Sequence, residues 1–105
     1  MSRAESMEPV ARLDDTFAPS IAFGLMAVLN DGADLEVETL RRIFPGDSGG
    51  LRDAIRRLEA QRFVVVDRRL LRATGGDWVR STRKGRMAFA AHLAALREIA
   101  GADEA

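Results

Sequence analysis

The side chains best equipped for chemistry in this chain are arginines, and their spacing is regular. Arg52 and Arg56 stand four residues apart with Arg57 beside them, inside the segment 51–61. On a 3.6-residue wheel, Leu51, Ala54, Ile55 and Leu58 share one face, Arg52, Asp53 and Arg56 fall opposite, and Arg57 lies at the flank. A guanidinium is a planar fork of donors that fits phosphate oxygens or the guanine edge bidentately, and a carboxylate such as Asp53 can accept from cytosine N4. Just before this segment come Ser48, Gly49 and Gly50. They offer a hydroxyl, helix-start N–H groups for a phosphate, and little steric bulk. A second basic group, Arg68, Arg69 and Arg72, follows in a glycine-containing connection. The plainer reading is a solvated helix face, with these arginines paired to Asp53 and Glu59, and solubilising charge on an exposed loop.

Charge distribution favours the sharper reading. The formal net charge is zero. Yet residues 1–40 hold two Arg against eight Asp or Glu, residues 41–86 thirteen Arg or Lys against five acids, and residues 87–105 one Arg against three. A basic middle between acidic ends suits a polyanionic partner.

Other chemistries lack their residues. There is no cysteine, no tyrosine and a single histidine. No phosphate-binding glycine loop and no carboxylate pair with a neighbouring base is present, so an enzyme is not expected. No metal or other cofactor is expected either. His92 is expected at the surface or in an interface, and Trp78 as packing at the base of a hairpin. No run approaches the roughly 20 apolar residues of a membrane span, and the start lacks the apolar stretch of a secretory signal, so a cytoplasmic protein is expected. Phe23, Met26, Met87 and Phe89 could line a small-ligand groove, but they read more simply as core; an effector is left open.

The elements that must position the arginines follow from pattern. At 105 residues the chain is one domain, with 47% apolar residues to build its core. Residues 1–15 read as a flexible acidic leader, 16–100 as the folded domain and 101–105 as a tail. Pro19 and Ser20 open an apolar helix, 21–29, that Asn30-Asp31-Gly32 closes. A second helix is expected from Asp34 or Leu35, with Leu35, Leu40 and Ile43 apolar and Glu36 and Glu38 in its first turn. After Phe44-Pro45-Gly46 and a turn at 47–50 comes the arginine helix. Phe63-Val64-Val65-Val66 reads as a strand with Val65 outward, and Trp78-Val79-Arg80 as its hairpin partner. Thr82 is the expected N-cap of a last helix running to about Ile99, in which Gly85 costs some propensity. The fold class is mainly α with a small β-hairpin. Along the last helix, Phe89, Leu93, Leu96 and Ala100, broadened by Met87, Ala90 and Ile99, form a stripe too long for so small a domain to bury alone. A homodimer is therefore expected, with Phe89, Leu93, Leu96, Ile99 and Ala100 in its interface.

The order helix, helix, turn, helix, hairpin, helix is that of a winged helix-turn-helix. From about Leu13 to Ile99 the chain resembles the short single-domain winged-helix transcriptional regulators of the MarR and ArsR type. The resemblance lies in Ala18-Pro19-Ser20-Ile21, Gly49-Gly50-Leu51, Arg56-Arg57-Leu58-Glu59-Ala60, Phe63-Val64-Val65-Val66, and Thr82-Arg83-Lys84-Gly85-Arg86 followed by Met87-Ala88-Phe89. It implies a homodimer on a pseudo-palindromic operator in double-stranded DNA, usually a repressor. Base reading would fall to 49–57 and backbone contacts to the wing at 68–72. Gly50 stands where relatives often carry Asn, and Leu70-Leu71 reshapes the wing. The alternative is a winged-helix module that regulates another protein without binding DNA.

Overall fold

A computed structural model describes residues 8–46, 48–68 and 76–101. Two 3-10 turns, Pro9–Arg12 and Asp15–Phe17, come first, followed by α1 (Ser20–Leu29), β1 (Leu35–Glu36), α2 (Val37–Ile43) and α3 (Ser48–Ala60). Then come β2 (Val64–Arg68), β3 (Asp77–Ser81) and α4 (Arg83–Gly101). The core gathers one face from each: Phe17, Leu25, Met26 and Leu29, then Leu40, Leu51 and Leu58, then Val64, Val79 and Phe89. Each such side chain contributes about 1.5–3 kcal/mol by leaving water.

The sheet has three strands rather than the two of a simple hairpin, in the order β1-β3-β2, all antiparallel. Leu35 and Glu36, expected in the first turn of a helix, are instead extended and pair with Val79 and Trp78. The helix starts two residues later, at Val37. Gly32, at φ 84°, makes the left-handed turn that brings the chain back from α1 to this edge. In the hairpin, Val64 opposes Ser81 and Val66 opposes Val79, so Val64 and Val79 face the core while Val65 stays exposed.

One junction locks α3, β2 and α4 together. After α3 the Arg62 N–H donates to the Glu59 carbonyl and the Phe63 N–H to the Leu58 carbonyl, both at 2.9 Å. Arg62 takes φ 61°. This is a Schellman end with a non-glycine residue in the left-handed position, and Leu58 and Phe63, both buried, supply its apolar contact. Thr82 then serves three partners. Its N–H donates to the Phe63 carbonyl at 2.9 Å. Its hydroxyl donates to the Arg62 carbonyl at 2.7 Å and accepts from the Gly85 N–H at 3.0 Å. The expected cap is present, and it also splices α4 onto the end of α3.

Residues 8–15, read from sequence as leader, pack onto α4 instead. Their weak periodicity is explained by what holds them, which is side chains from distant elements. Asp14 caps the second 3-10 turn through the Thr16 N–H at 2.9 Å. The Asp14 N–H donates to His92 Nδ1 at 3.0 Å, and Arg12 pairs with Glu98. His92 is thus a core residue, 7% exposed, not a surface one. Its ring lies 5.2 Å from that of Phe17. The buried imidazole is tolerated because its nitrogen finds a backbone donor. Phe89, expected in a dimer interface, is likewise core at 2% exposure, with Phe17 and Phe23 edge-on at 5.3 and 5.2 Å. Leu93 is half-buried against the same core.

Candidate nucleic-acid interface

The arginine helix forms as its pattern requires, and its two faces part cleanly. Leu51, Ala54, Ile55 and Leu58 are buried, while Arg52, Asp53, Arg56 and Arg57 are exposed. The exposed residues do not form one surface. Arg52 and Arg56 look toward the sheet, where α2, α3, β2 and β3 enclose a concave cleft of about 260 Å³. Its rim holds Arg41 from α2, Arg52 and Arg56 from α3, and Arg68 from β2, against Glu59 and Asp77. Gly50, Asp53 and Arg57 lie on the other flank, lining a groove of about 430 Å³ with Pro19, Ser20 and Ile21 of the α1 entry.

The cations differ in how far they are engaged. Arg68 pairs with Glu59 at 3.3 Å, and Arg41 pairs with Glu38 one turn earlier on its own helix. Glu59, first through its hydrogen bond and then through its charge, with Asp77 adding, raises the Arg68 pKa above its ordinary value. The guanidinium is fully charged regardless, and the pair is exposed, so its use is to orient the base of the wing rather than to stabilise the fold. Among the described residues neither Arg52 nor Arg56 enters an ion pair. Their forks are free for a ligand.

Arg57 is engaged differently from the expectation. Its Nε donates to the Thr16 carbonyl at 3.0 Å and its Nη2 to the Asp15 carbonyl at 2.7 Å. Two main-chain oxygens hold the fork away from the cleft. Asp53, on the α1 side, is separated from Arg52 and Arg56 as well. Ser48, Gly49 and Gly50, expected in the turn before the arginine helix, instead form the first turn of α3, which starts three residues earlier than its apolar spacing indicated. Arg69 and Arg72 lie outside the described residues. Arg41 was not singled out by sequence, although its place one turn before Phe44-Pro45-Gly46, at the basic end of α2, was a signal. Among the described residues no cluster of metal-ligating side chains occurs, and no helix is long and apolar enough to cross a membrane.

An exposed arginine pair on the second helix of a helix-turn-helix, beside an antiparallel hairpin, is a geometry for the DNA major groove. The family model for a winged helix DNA-binding domain matches residues 21–100. The chain belongs to that family. The match runs from the start of α1 through the wing to the end of α4, so it takes in every element that builds the cleft, and the family is one of DNA-binding domains rather than enzymes. No match was found among curated proteins. Among solved structures, a transcriptional regulator homologue protein from Pyrococcus horikoshii OT3 superposes with a TM-score of 0.83 at 17% identity, over 94% of this chain and 100% of that one. At that identity the likeness is one of fold.

Proposed function

We propose that this winged helix is a transcriptional regulator in the cytoplasm that reads double-stranded DNA through α3. In this reading it is a repressor bound as a homodimer to a pseudo-palindromic operator. The observation that carries the proposal is the free Arg52–Arg56 pair at the rim of a cleft shared with Arg41 and Arg68. Arg52 and Arg56 contact base edges, Ser48, Gly49 and Gly50 admit the helix to the groove, and Arg41 and Arg68 follow the phosphates, with Arg69 and Arg72 assigned to the wing. The fold shared with the Pyrococcus protein, a transcriptional regulator homologue, is in keeping with the regulatory role. The test is binding to the duplex upstream of the protein's own gene across a salt series. With about four phosphates neutralised by each subunit of the dimer, log K is expected to fall against log salt with a slope near −7. No binding at low salt would move the reading to a protein-interaction module.

The homodimer rests on α4. With Phe89 enclosed, the surface available to a second copy is Leu96, Ile99 and Ala100 together with the outward Met87, which is 62% exposed. Two copies paired there would carry two reading helices to major grooves about 34 Å apart, one turn of DNA. An Ile99→Glu variant is expected to sediment as a monomer where the parent is a dimer, and to bind a two-half-site duplex at least tenfold more weakly because the second half-site no longer assists. A parent that sediments as a monomer at all concentrations would refute this.

A further inference from the structure

We infer that Arg57 is a positioning residue that couples the reading helix to α4 through residues 12–17, so that the pose of α3 follows the pose of α4. Its functional consequence rests on the DNA-reading role proposed for α3. The chain of contacts is continuous. Arg57 grips the Thr16 and Asp15 carbonyls with two donors, at 3.0 and 2.7 Å. The turn that presents those carbonyls is shaped by the Asp14 carboxylate on the Thr16 N–H. Asp14 in turn gives its own N–H to His92 Nδ1 on α4 at 3.0 Å, and Arg12, two residues back, pairs with Glu98 one and a half turns further along that helix. Phe17 closes the bridge, with its ring stacked at 5.4 Å on Phe63 beyond the end of α3 and edge-on at 5.3 Å to Phe89 of α4.

The reading helix is therefore held from both flanks by its C-terminal half. Arg57 ties it to this strap, and Glu59 ties it to Arg68 at the base of the wing. Arg52 and Arg56, which precede both ties along the helix and face the cleft, are left for the ligand. A charged fork on two carbonyls is a strong and directional tie. A contact that displaces α4, such as pairing with a second copy, shifts residues 12–17 and draws Arg57 with them. Direct base readout depends on the placement of bidentate donors, so a small change of helix pose alters affinity without any change in the DNA-facing residues.

The test uses Arg12→Gln, Arg57→Gln and Arg57→Lys in the full chain, each first shown to be folded by near-UV circular dichroism. Arg12 pairs with Glu98 of α4, so amide exchange and chemical-shift changes in Arg12→Gln that reach residues 54–60 of α3 support the coupling. Changes confined to the strap and α4 overturn it. In the salt series, Arg57→Gln is expected to bind the upstream duplex about tenfold more weakly, the scale of a lost charged hydrogen bond, with the salt slope unchanged. Arg57→Lys should stay weak, because a single ammonium nitrogen does not reproduce the rigid fork that places two donors on separate nitrogens. A slope reduced by about 0.9 for each subunit, with lysine restoring affinity, would make Arg57 a phosphate contact and overturn the inference. Unchanged affinity in Arg57→Gln would overturn it too. If the parent protein binds no duplex, the DNA-reading proposal falls, and the amide measurement alone decides the coupling.

Discussion

An Arg52→Ala/Arg56→Ala protein is expected to melt like the parent and to bind its operator at least about thirtyfold more weakly. Both side chains are exposed, and among the described residues neither enters an ion pair, so their removal leaves no buried partner unsatisfied. Surface changes of this kind stay within about 0.5 kcal/mol of stability. On DNA the arithmetic is different. Each bidentate arginine contact to guanine discriminates by about 1–3 kcal/mol, so two together put the loss at about 2–6 kcal/mol on the specific site. Binding to unrelated duplex should fall much less, because Arg41 and Arg68 still meet the backbone from the same cleft. Titrating operator and scrambled duplexes side by side separates the two effects. Equal losses on both would make Arg52 and Arg56 backbone contacts, and no loss on either would place DNA reading elsewhere on the domain.

Most of this architecture was legible where the determinants are local. The apolar run 21–29, the three-and-four spacing of Leu51, Ala54, Ile55 and Leu58, and Thr82 ahead of a long helix each act within a turn or two. They produced α1 and α4 at the expected places, and α3 from three residues before its expected start. What sequence did not reveal is held across long separations. Leu35 and Glu36 carry no strand signal of their own, and they are extended because Val79 and Trp78 lie beside them. Residues 8–17 have no repeating pattern, since their partners are Arg57, His92 and Glu98, 41 to 86 residues away. The same contacts explain why part of the expected site dispersed. Arg57 stood at the flank of the arginine face on a helical wheel and was grouped with the DNA-facing residues, yet a neighbouring segment that no wheel includes supplies its acceptors. Phe89 looked like the start of an interface stripe because its true cover, Phe17, sits in that same unpatterned segment.

Gly85→Ala runs against helix propensity, and the close approach at this site decides the sign. In an exposed helix interior, alanine in place of glycine would gain about 1 kcal/mol. Here a Cβ would sit 2.2 Å from the Phe63 carbonyl oxygen and 2.8 Å from both the Phe63 carbonyl carbon and Cα. All three are backbone atoms of a residue only 4% exposed, so no side chain can swing aside. Relief requires α4 to lift from the start of β2, which stretches the bond from the Thr82 N–H to that same carbonyl and the Thr82 hydroxyl bond to Arg62. Overpacking of this kind typically costs about 1–3 kcal/mol, and the splice between α3 and α4 puts this site at the upper end. The propensity gain offsets only part of it, and a net loss of about 2 kcal/mol would lower the melting temperature of a domain this size by roughly 8–16 °C. A thermal melt of Gly85→Ala beside Thr82→Ala checks the argument. Thr82→Ala removes the same splice from its other side and should lose about 1–2 kcal/mol. If Gly85→Ala were neutral or stabilising, α4 could move off β2 at little cost, and the junction would not be what fixes the wing against the reading helix.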